Sequence, residues 1–167
     1  MRRRRWQAFF FVLATCVGCD HASKRAAEAL LAGSAGLALA GDTVQFRIAS
    51  NPGAFLSLGA ELPEPVRQVF LLGLVPFLIA LVCLYFATSV RASRAQWLAL
   101  ALLSGGGIGN WLDRVLHAGA VTDVVSIGLG SFRTGVFNLA DLAVVAGVCI
   151  LLVSTGHGVE EPPAPAR

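Results

Sequence analysis

Four long apolar stretches divide the chain, and connections with polar residues separate them. The stretches cover residues 6–19, 69–87, 95–112 and 137–153. A helix needs about 20 residues to cross a bilayer, and about 17 are tolerated. The second and third stretches satisfy this length, whereas the first and fourth do so only if the polar groups at their ends belong to the helices. The pattern therefore predicts four membrane-spanning helices with polar side chains that face the interior of the bundle.

The residues around these stretches add detail. The first helix is predicted to continue to about residue 31, and Pro76 is predicted to kink the second helix. Residues 43–48 alternate well enough for a short strand, and Asn-Pro-Gly at 51–53 marks a turn. Residues 55–58 fit either a second strand or a segment at the membrane interface. We therefore expect an all-α integral membrane protein of four transmembrane helices, with a small extracytoplasmic β-element on the membrane surface.

The composition favours the same class of protein. The 167 residues are 56% hydrophobic and 14% charged, with a mean hydropathy of +0.71. A soluble domain is nearer half apolar and a quarter charged. The sequence predicts one four-helix domain at residues 1–155, followed at 156–167 by a Gly-, Pro- and Glu-rich tail that we expect to be disordered.

The arginines predict the orientation in the membrane. Residues 2–5 are all arginine, and Arg91 and Arg94 occupy the short gap between the second and third stretches. Because these basic groups flank apolar helices and no basic surface rich in aromatic residues accompanies them, they favour retention at the cytoplasmic face over nucleic-acid binding. Both termini are therefore predicted to be cytoplasmic, and the connections at 32–66 and 113–136 extracytoplasmic.

Polar and ionisable residues are concentrated between residues 105 and 141. Asp141 follows Asn138 by three residues, so the two share a helix face, and Asp123 is predicted in the loop that returns to this helix. If the two carboxylates approach each other, they share a proton; the ionised one activates a water and the protonated one donates to the scissile carbonyl. In the simpler alternative, Asp141 is a helix-start residue favoured by the helix dipole and Asp123 is a solvated loop charge.

Two further groups of polar residues lie near helix ends. Asp20 and Lys24 have the spacing of an ion pair on a helix, and we expect them to be structural. Asn110, Asp113 and Arg114 share another helix face, where Arg114 holds a backbone carbonyl or the substrate, or else pairs with Asp113 or with lipid headgroups. The glycines before them permit close helix packing.

The cysteines and histidines give no sign of a metal site. All four cysteines fall inside apolar stretches, where a buried free thiol acts as a small hydrophobic group. Cys16-x-x-Cys19 has zinc-like spacing, but no second pair or histidine cluster completes four ligands. The sequence contains no HExxH motif, which argues against a metalloprotease.

The polar motifs follow one another in a specific order. They are Asp20-x-x-x-Lys24, Asn51-x-Gly53 with Phe55, Gly106-x-x-Gly109-Asn110-x-x-Asp113-Arg114, Val121-x-Asp123 and Phe137-Asn138-x-Ala140-Asp141. This ordered set, together with four apolar stretches, resembles lipoprotein signal peptidase, the signal peptidase II family, over about residues 6–153.

The resemblance implies an inner-membrane aspartic endopeptidase that needs no metal or organic cofactor. Such an enzyme removes the signal peptide from diacylglyceryl-modified prolipoproteins and cleaves just before the lipidated cysteine. The resemblance assigns catalysis to Asp123 and Asp141. The other matching positions, which shape the site, are Asp20, Lys24, Asn51, Gly53, Gly106, Asn110, Arg114, Asn138 and Ala140. It also implies prolipoproteins and membrane lipid as partners and the cyclic peptide antibiotic globomycin as an inhibitor.

The chain departs from the family pattern at two places. It is one residue longer near residues 117–119, and Ala54 alone separates Gly53 from Phe55, where the family more often has two residues. These departures leave open the geometry of the outer loops, and with it inhibitor sensitivity and substrate range.

Two other classes of protein share part of the pattern. A small proton-coupled transporter also carries intramembrane charges, but here the charges lie at helix ends and the chain has no internal repeat. A lipoprotein cleaved before Cys19 would begin in a similar way, but the predicted helix continues past that residue and three more apolar stretches follow. The pattern as a whole favours the peptidase.

Overall fold

A computed structural model of the chain describes residues 2–54, 57–88, 92–130 and 132–156, most of them helical. The helices are α1 (Arg2–Leu31), α2 (Glu64–Gln68), α3 (Val75–Thr88), α4 (Arg94–Leu116) and α5 (Leu139–Gly156), and a π-helical turn, Val69–Leu74, joins α2 to α3. The strands β1 (Leu37–Leu39), β2 (Val44–Asn51), β3 (Val121–Leu129) and β4 (Phe132–Arg133) form one antiparallel sheet in chain order. The expected combination of helices and a small β-element is therefore present.

The helices follow the apolar stretches but extend beyond them. α1 is unbroken to Leu31, as its sequence predicted. A capping box fixes the start of α4: Ser93 Oγ accepts from the Gln96 N–H at 3.2 Å, and the Ser93 N–H donates to Gln96 Oε1 at 2.8 Å. In the part of the chain that the structure describes, Glu64–Leu84 is the helical run long and apolar enough to cross a membrane, with a mean hydropathy of 2.2, and Leu139–Thr155 is apolar but shorter.

The helix irregularity predicted at Pro76 lies just before that residue, in the π-helical turn. Proline has no N–H, so Pro76 cannot bond the carbonyl of Leu72 four residues earlier. Trp111 Nε1 of α4 donates to this carbonyl at 3.1 Å instead. The neighbouring helix thus donates to a carbonyl that lacks its usual α-helical partner, as interiors without water favour.

α4 packs between α1 and α5, and its glycines allow both contacts. A Cβ on Gly106 would overlap the carbonyl oxygen of Ala140 on α5, and one on Gly105 would lie 2.7 Å from Cys16 Cβ on α1. The close helix approach expected from this glycine run is confirmed.

The sheet corrects the prediction that Asp123 lies in a loop. Asp123 is the third residue of β3, which pairs with β2 so that Asp123 lies opposite Ala49. The run of β-branched residues around Asp123 was the signal for this strand. The strand predicted at 43–48 forms the first part of β2.

Three other expectations have different outcomes. Ser57 and Leu58 lie in turns rather than in a strand, while residues 55 and 56 lie outside the described residues. The cysteines are free thiols, but Cys19 and Cys149 are exposed on helix surfaces rather than buried. α5 ends at Gly156, so this first residue of the tail predicted to be disordered (156–167) is helical, and residues 157–167 lie outside the described residues.

Charged and polar side chains occupy the most buried positions of the fold. Asp20 and Asp123 are 0% and 2% exposed, whereas Phe11, Phe77 and Leu152 are 72%, 58% and 66% exposed. Large apolar groups normally leave the surface of a protein in water, and buried carboxylates are rare there unless they are paired. The distribution fits a protein whose outer surface contacts lipid and whose polar groups find partners inside.

Candidate active site

Asp123 is held by two asparagine side chains. Asn51 Nδ2, at the end of β2, donates to Asp123 Oδ2 at 2.9 Å, and Asn138 Nδ2 donates to Asp123 Oδ1 at 2.6 Å. Antiparallel pairing of β2 with β3 brings Asn51 to this position, because Asn51 lies opposite Val121 in the register. Both carboxylate oxygens therefore have a donor although the side chain is buried.

Asp141 lies in the first turn of α5 and forms a reciprocal cap with Asn138. The Asn138 N–H donates to Asp141 Oδ2 at 3.2 Å, and the Asp141 N–H donates to Asn138 Oδ1 at 2.9 Å. Asn110 Nδ2 of α4 donates to the other carboxylate oxygen at 2.8 Å. The helix start thus fixes the carboxylate where the dipole of α5 favours negative charge.

Asn138 connects the two carboxylates. Its side-chain amide contacts Asp123 and its main-chain N–H contacts Asp141, while Nδ2 also lies 3.1 Å from Asn110 Oδ1. The sequence predicted that Asn138 and Asp141 share a helix face and that Asp123 returns toward them. The structure brings all three into one hydrogen-bonded cluster.

The surroundings of Asp123 change its acidity. Burial raises the pKa of Asp123 to about 6; the negative charge of Asp141 also raises the pKa, while the hydrogen bonds from Asn51 and Asn138 oppose the rise. A carboxyl group with such a pKa can gain or lose a proton near neutral pH, as a general acid or base must.

The expected ion pair between Asp20 and Lys24 is confirmed. Lys24 Nζ lies 2.5 Å from Asp20 Oδ2, and Lys24 is 3% exposed. Asp20 Oδ1 accepts the Ala140 N–H at 2.9 Å, next to Asp141. A pair on α1 therefore positions the first turn of α5.

Asp113 is a site residue whose role the sequence left open. It was considered as a partner of Arg114, but its Oδ2 lies 2.8 Å from Lys24 Nζ. The same oxygen accepts the Thr122 N–H at 3.2 Å, one residue before Asp123. Lys24 is the only lysine in the chain. Asp20 and Asp113 both lie at the ends of apolar stretches, so a lysine shared between these two carboxylates was the signal that the sequence offered.

Arg114 holds backbone carbonyls, one of the alternatives that its sequence position allowed. Its guanidinium donates to the Gly53 carbonyl at 2.6 Å and to the Asn110 carbonyl at 3.0 Å. Gly53 cannot carry a side chain, because a Cβ would lie 2.7 Å from the carbonyl oxygen of Leu58. The Gly53 N–H donates to Asn51 Oδ1 at 2.9 Å, so this turn also fixes the asparagine that contacts Asp123.

The extra residue near the end of α4 lies in a turn. Ala118 and Gly119 have φ angles of 51° and 92°, and the Gly119 N–H donates to the Arg114 carbonyl at 2.8 Å. The helix therefore closes beside Arg114, and the chain enters β3 two residues before Asp123.

The site contains carboxylates, amides and two cations. Within the described ranges, no group of three or more His, Cys, Asp or Glu residues has an arrangement that could hold a metal ion. What the cluster offers chemically is a pair of buried carboxyl groups held by neutral donors, an arrangement suited to moving a proton. The fold and the site together have the form of a membrane protein with two aspartates held in one polar cluster.

Comparison with known proteins supports this class of protein. A family model described as signal peptidase (SPase) II matches residues 12–156. A lipoprotein signal peptidase of Chlorobium phaeobacteroides is 32% identical over 154 residues, which cover 87% of this chain and 88% of the relative. One of Aquifex aeolicus is 31% identical over 110 residues, 66% of this chain and 64% of the relative. The chain belongs to the signal peptidase II family.

A solved structure shows the same fold. A bacterial membrane enzyme determined by the in meso method at 2.3 Å resolution superposes with a TM-score of 0.81 and 17% sequence identity, covering 96% of this chain and 95% of its own. This likeness is one of fold. Membership of the signal peptidase II family makes the chain a bacterial membrane protein and a protease that cleaves signal peptides from prolipoproteins.

Proposed function

We propose that Asp123 and Asp141 are the catalytic pair of an aspartic endopeptidase that cleaves prolipoproteins just before a diacylglyceryl-modified cysteine. The observation that carries the proposal is the position of Asn138. Its amide and its main-chain N–H, at 2.6 Å and 3.2 Å, hold one oxygen of each carboxylate. Two buried carboxyl groups so fixed can share one proton.

The proposed chemistry follows from this shared proton. The ionised carboxylate takes a proton from a water molecule, whose oxygen attacks the scissile carbonyl carbon. The protonated carboxyl donates to the carbonyl oxygen as negative charge develops there. The carboxyl that took the proton from water then gives it to the amide nitrogen as the C–N bond breaks, and the other carboxylate recovers its proton from a hydroxyl of the intermediate. The amides of Asn51, Asn110 and Asn138 keep both carboxyl groups in place without neutralising them.

The remaining motif residues support this pair. Asp20 and Lys24 act through the first turn of α5, and Arg114 acts through the Gly53 carbonyl and the turn that holds Asn51. Gly106 and Ala140 permit the close packing of α4 against α5. We assign all of these to positioning rather than to the chemical step.

We also propose how the chain lies in the membrane. Residues 1–155 form a single peptidase domain with four spans and both termini in the cytoplasm. The first span is α1, the second is the helical run from α2 through α3, the third is α4 and the fourth is α5. The arginines at the start of α1 support this orientation. Arg5 contacts Ala92 just before α4, so the starts of α1 and α4 lie on the same side, and the strands of the sheet follow the opposite ends of both helices. Asp123 and Asp141 then lie at the extracytoplasmic face.

The lipid on the substrate suits a site at this depth. Burying a lipid chain is worth ~0.8 kcal/mol per CH₂, but the lipid that the chain leaves offsets this gain. The acyl chains therefore set the depth of the scissile bond more than they add affinity. We propose diacylglyceryl prolipoproteins and membrane lipid as partners, and globomycin as an inhibitor.

A cleavage assay tests the proposed pair. Purified protein in detergent is given a diacylglyceryl-modified prolipoprotein, and Asp123→Asn and Asp141→Asn are compared with the parent. We expect each variant to lose about a thousandfold or more in rate. Asp42→Asn is the matched control, because the Asp42 side chain is 58% exposed and pairs with Arg133 on the surface.

Each other outcome points elsewhere. If both variants cut as fast as the parent, the pair is not catalytic. A folded parent that never cuts this substrate would favour a transporter. An intact mass that lacks residues 1–18 would favour a lipoprotein processed at Cys19.

A further inference from the structure

A groove lies between α1 and α4, at the end of these helices that is away from the carboxylate pair. Its volume is about 440 Å³, and it is lined by Arg4, Arg5 and Arg94 and by apolar side chains that include Phe9, Val12 and Trp97. Arg4 and Arg94 are exposed, and Arg5 is half-buried. The groove therefore combines an apolar wall with a row of cations.

Among the described residues, no acidic side chain forms an ion pair with the arginines of this groove. The sequence contains no Asp or Glu in residues 1–19 or 65–112, which supply the lining and the segments that flank it. An anionic ligand would meet uncompensated guanidinium groups, which bind phosphate oxygens in a bidentate manner.

The wall of the groove is firmly built. The rings of Trp6 and Trp97 pack edge to face with centroids 5.0 Å apart, and Phe9 is 4% exposed. Arg5 Nη1 donates to the Ala92 carbonyl at 2.9 Å, which ties the start of α1 to the start of α4. These contacts hold the groove open without a ligand.

Trp97 adds a second sign of a ligand. This residue is 93% buried, since 7% of its surface is exposed, and its Nε1 is buried and finds no acceptor among the described residues. A buried donor without a partner costs about 1–3 kcal/mol, so an acceptor supplied by a bound molecule or a water would be favoured here. The ester oxygen of a lipid is an acceptor that can enter between two helices.

We propose that this groove binds one acidic glycerophospholipid of the cytoplasmic leaflet. Its phosphate lies between Arg4 and Arg94, an acyl chain follows Phe9 and Val12, and an ester oxygen accepts from Trp97. The assignment to the cytoplasmic leaflet rests on the orientation proposed above, whereas the binding chemistry does not. Basic pockets between membrane helices are known to select anionic headgroups on this side.

The test measures lipid retained by the whole protein. Native mass spectrometry of the protein in detergent counts bound lipid after titration with phosphatidylglycerol, with phosphatidylcholine, or with inorganic phosphate. We expect one phosphatidylglycerol to bind at least tenfold more tightly than phosphatidylcholine, and phosphate alone not to displace it. The Arg4→Gln/Arg94→Gln double variant should bind phosphatidylglycerol about 25-fold more weakly, because the effects of about fivefold for each arginine multiply.

The Arg3→Gln/Arg25→Gln double variant is the control, because it has the same net charge and changes exposed arginines outside the groove. The proposal is wrong if this control loses the preference equally, if phosphatidylcholine binds as well, or if phosphate displaces the lipid. Both double variants should cleave prolipoprotein in detergent at the parental rate. Loss of cleavage in Asp123→Asn is a separate measurement, so the lipid site and the catalytic pair can fail independently.

Discussion

Burial raises the pKa of Asp123, and two amide side chains fix its position. Its oxygens accept from Asn51 and Asn138, and an ion pair would have kept it fully ionised instead. A sequence shows which residues are carboxylates and amides but not which of them meet. The order of motifs indicated the pair Asp123 and Asp141, whereas the partner of Lys24 on α4, Asp113, required the structure.

The raised pKa of Asp123 predicts how stability depends on pH. A carboxyl whose pKa is raised to about 6 in the folded protein binds a proton there at a pH where the unfolded chain, near 3.8, does not. Stability should therefore increase as the pH falls from 7 to 5, by about 1 kcal/mol after allowance for partial solvation. Melting in detergent at both pH values measures this.

Asp123→Ala serves as the comparison in that measurement. It lacks the titrating carboxyl, so its melting temperature should change less between pH 7 and pH 5 than that of the parent. An equal change in both proteins would show that Asp123 does not titrate in this range.

At the scale of elements, helix packing was easier to predict than the sheet. Glycines in an apolar helix indicate close approach from local sequence alone, and Gly106 lies against Ala140 as expected. β3 was missed because a short strand needs a partner to be stable, and its partner β2 ends seventy residues earlier in the chain. The π-helical turn before Pro76 likewise receives a hydrogen bond from Trp111 that no local pattern shows.

Gly106→Ala tests the contact between α4 and α5. The added methyl group would overlap the Ala140 carbonyl and lie 2.8 Å from Val144 Cγ2, so the helices must separate. We expect a loss of about 1–3 kcal/mol in stability and slower cleavage, measured as melting temperature and rate. Gly18→Ala is the control, since a Cβ there meets nothing within 4 Å; a similar loss in both would contradict the packing argument.

The positive charge of Lys24 on α1 links this helix to Asp113 on α4. Lys24→Met would leave Asp20 and Asp113, 0% and 2% exposed, without their cation. Removing one partner of a buried ion pair costs about 3–5 kcal/mol, so we expect little folded protein on size-exclusion chromatography in detergent.

The exposed neighbour Arg25 provides the control, and Arg25→Met should fold normally. Adding Asp20→Asn and Asp113→Asn to Lys24→Met should recover part of the folded yield, because the uncompensated charges are then gone. No recovery would mean that Lys24 stabilises the fold by packing rather than by charge.

At the scale of the whole molecule, the sequence predicted which surfaces are apolar. The orientation of the chain in the membrane remains a prediction from the positions of the arginines. The apolar stretches indicated lipid contact, and large apolar side chains cover the surface of the folded chain. Basic residues near the start of α1 and before α4 predict that these ends face the cytoplasm. The site lies toward the other ends, where β2 and β3 follow α1 and α4 in the chain.

Cysteine labelling tests this orientation. In a variant whose native cysteines are alanine, Ser34→Cys should react with a membrane-impermeant maleimide in intact spheroplasts. Ala95→Cys should react only after lysis, since both positions are exposed but are predicted on opposite sides of the membrane. The reverse labelling pattern would invert the topology and place Asp123 in the cytoplasm.

The amide contacts around the carboxylate pair have a consequence for kinetics. The side chains of Asn51, Asn110 and Asn138 neither gain nor lose protons in the range where enzymes are assayed. If the pair is catalytic, the plot of cleavage rate against pH should therefore be a simple bell whose two limbs are the macroscopic constants of the pair itself. The two limbs would then report the protonation of the carboxylate pair.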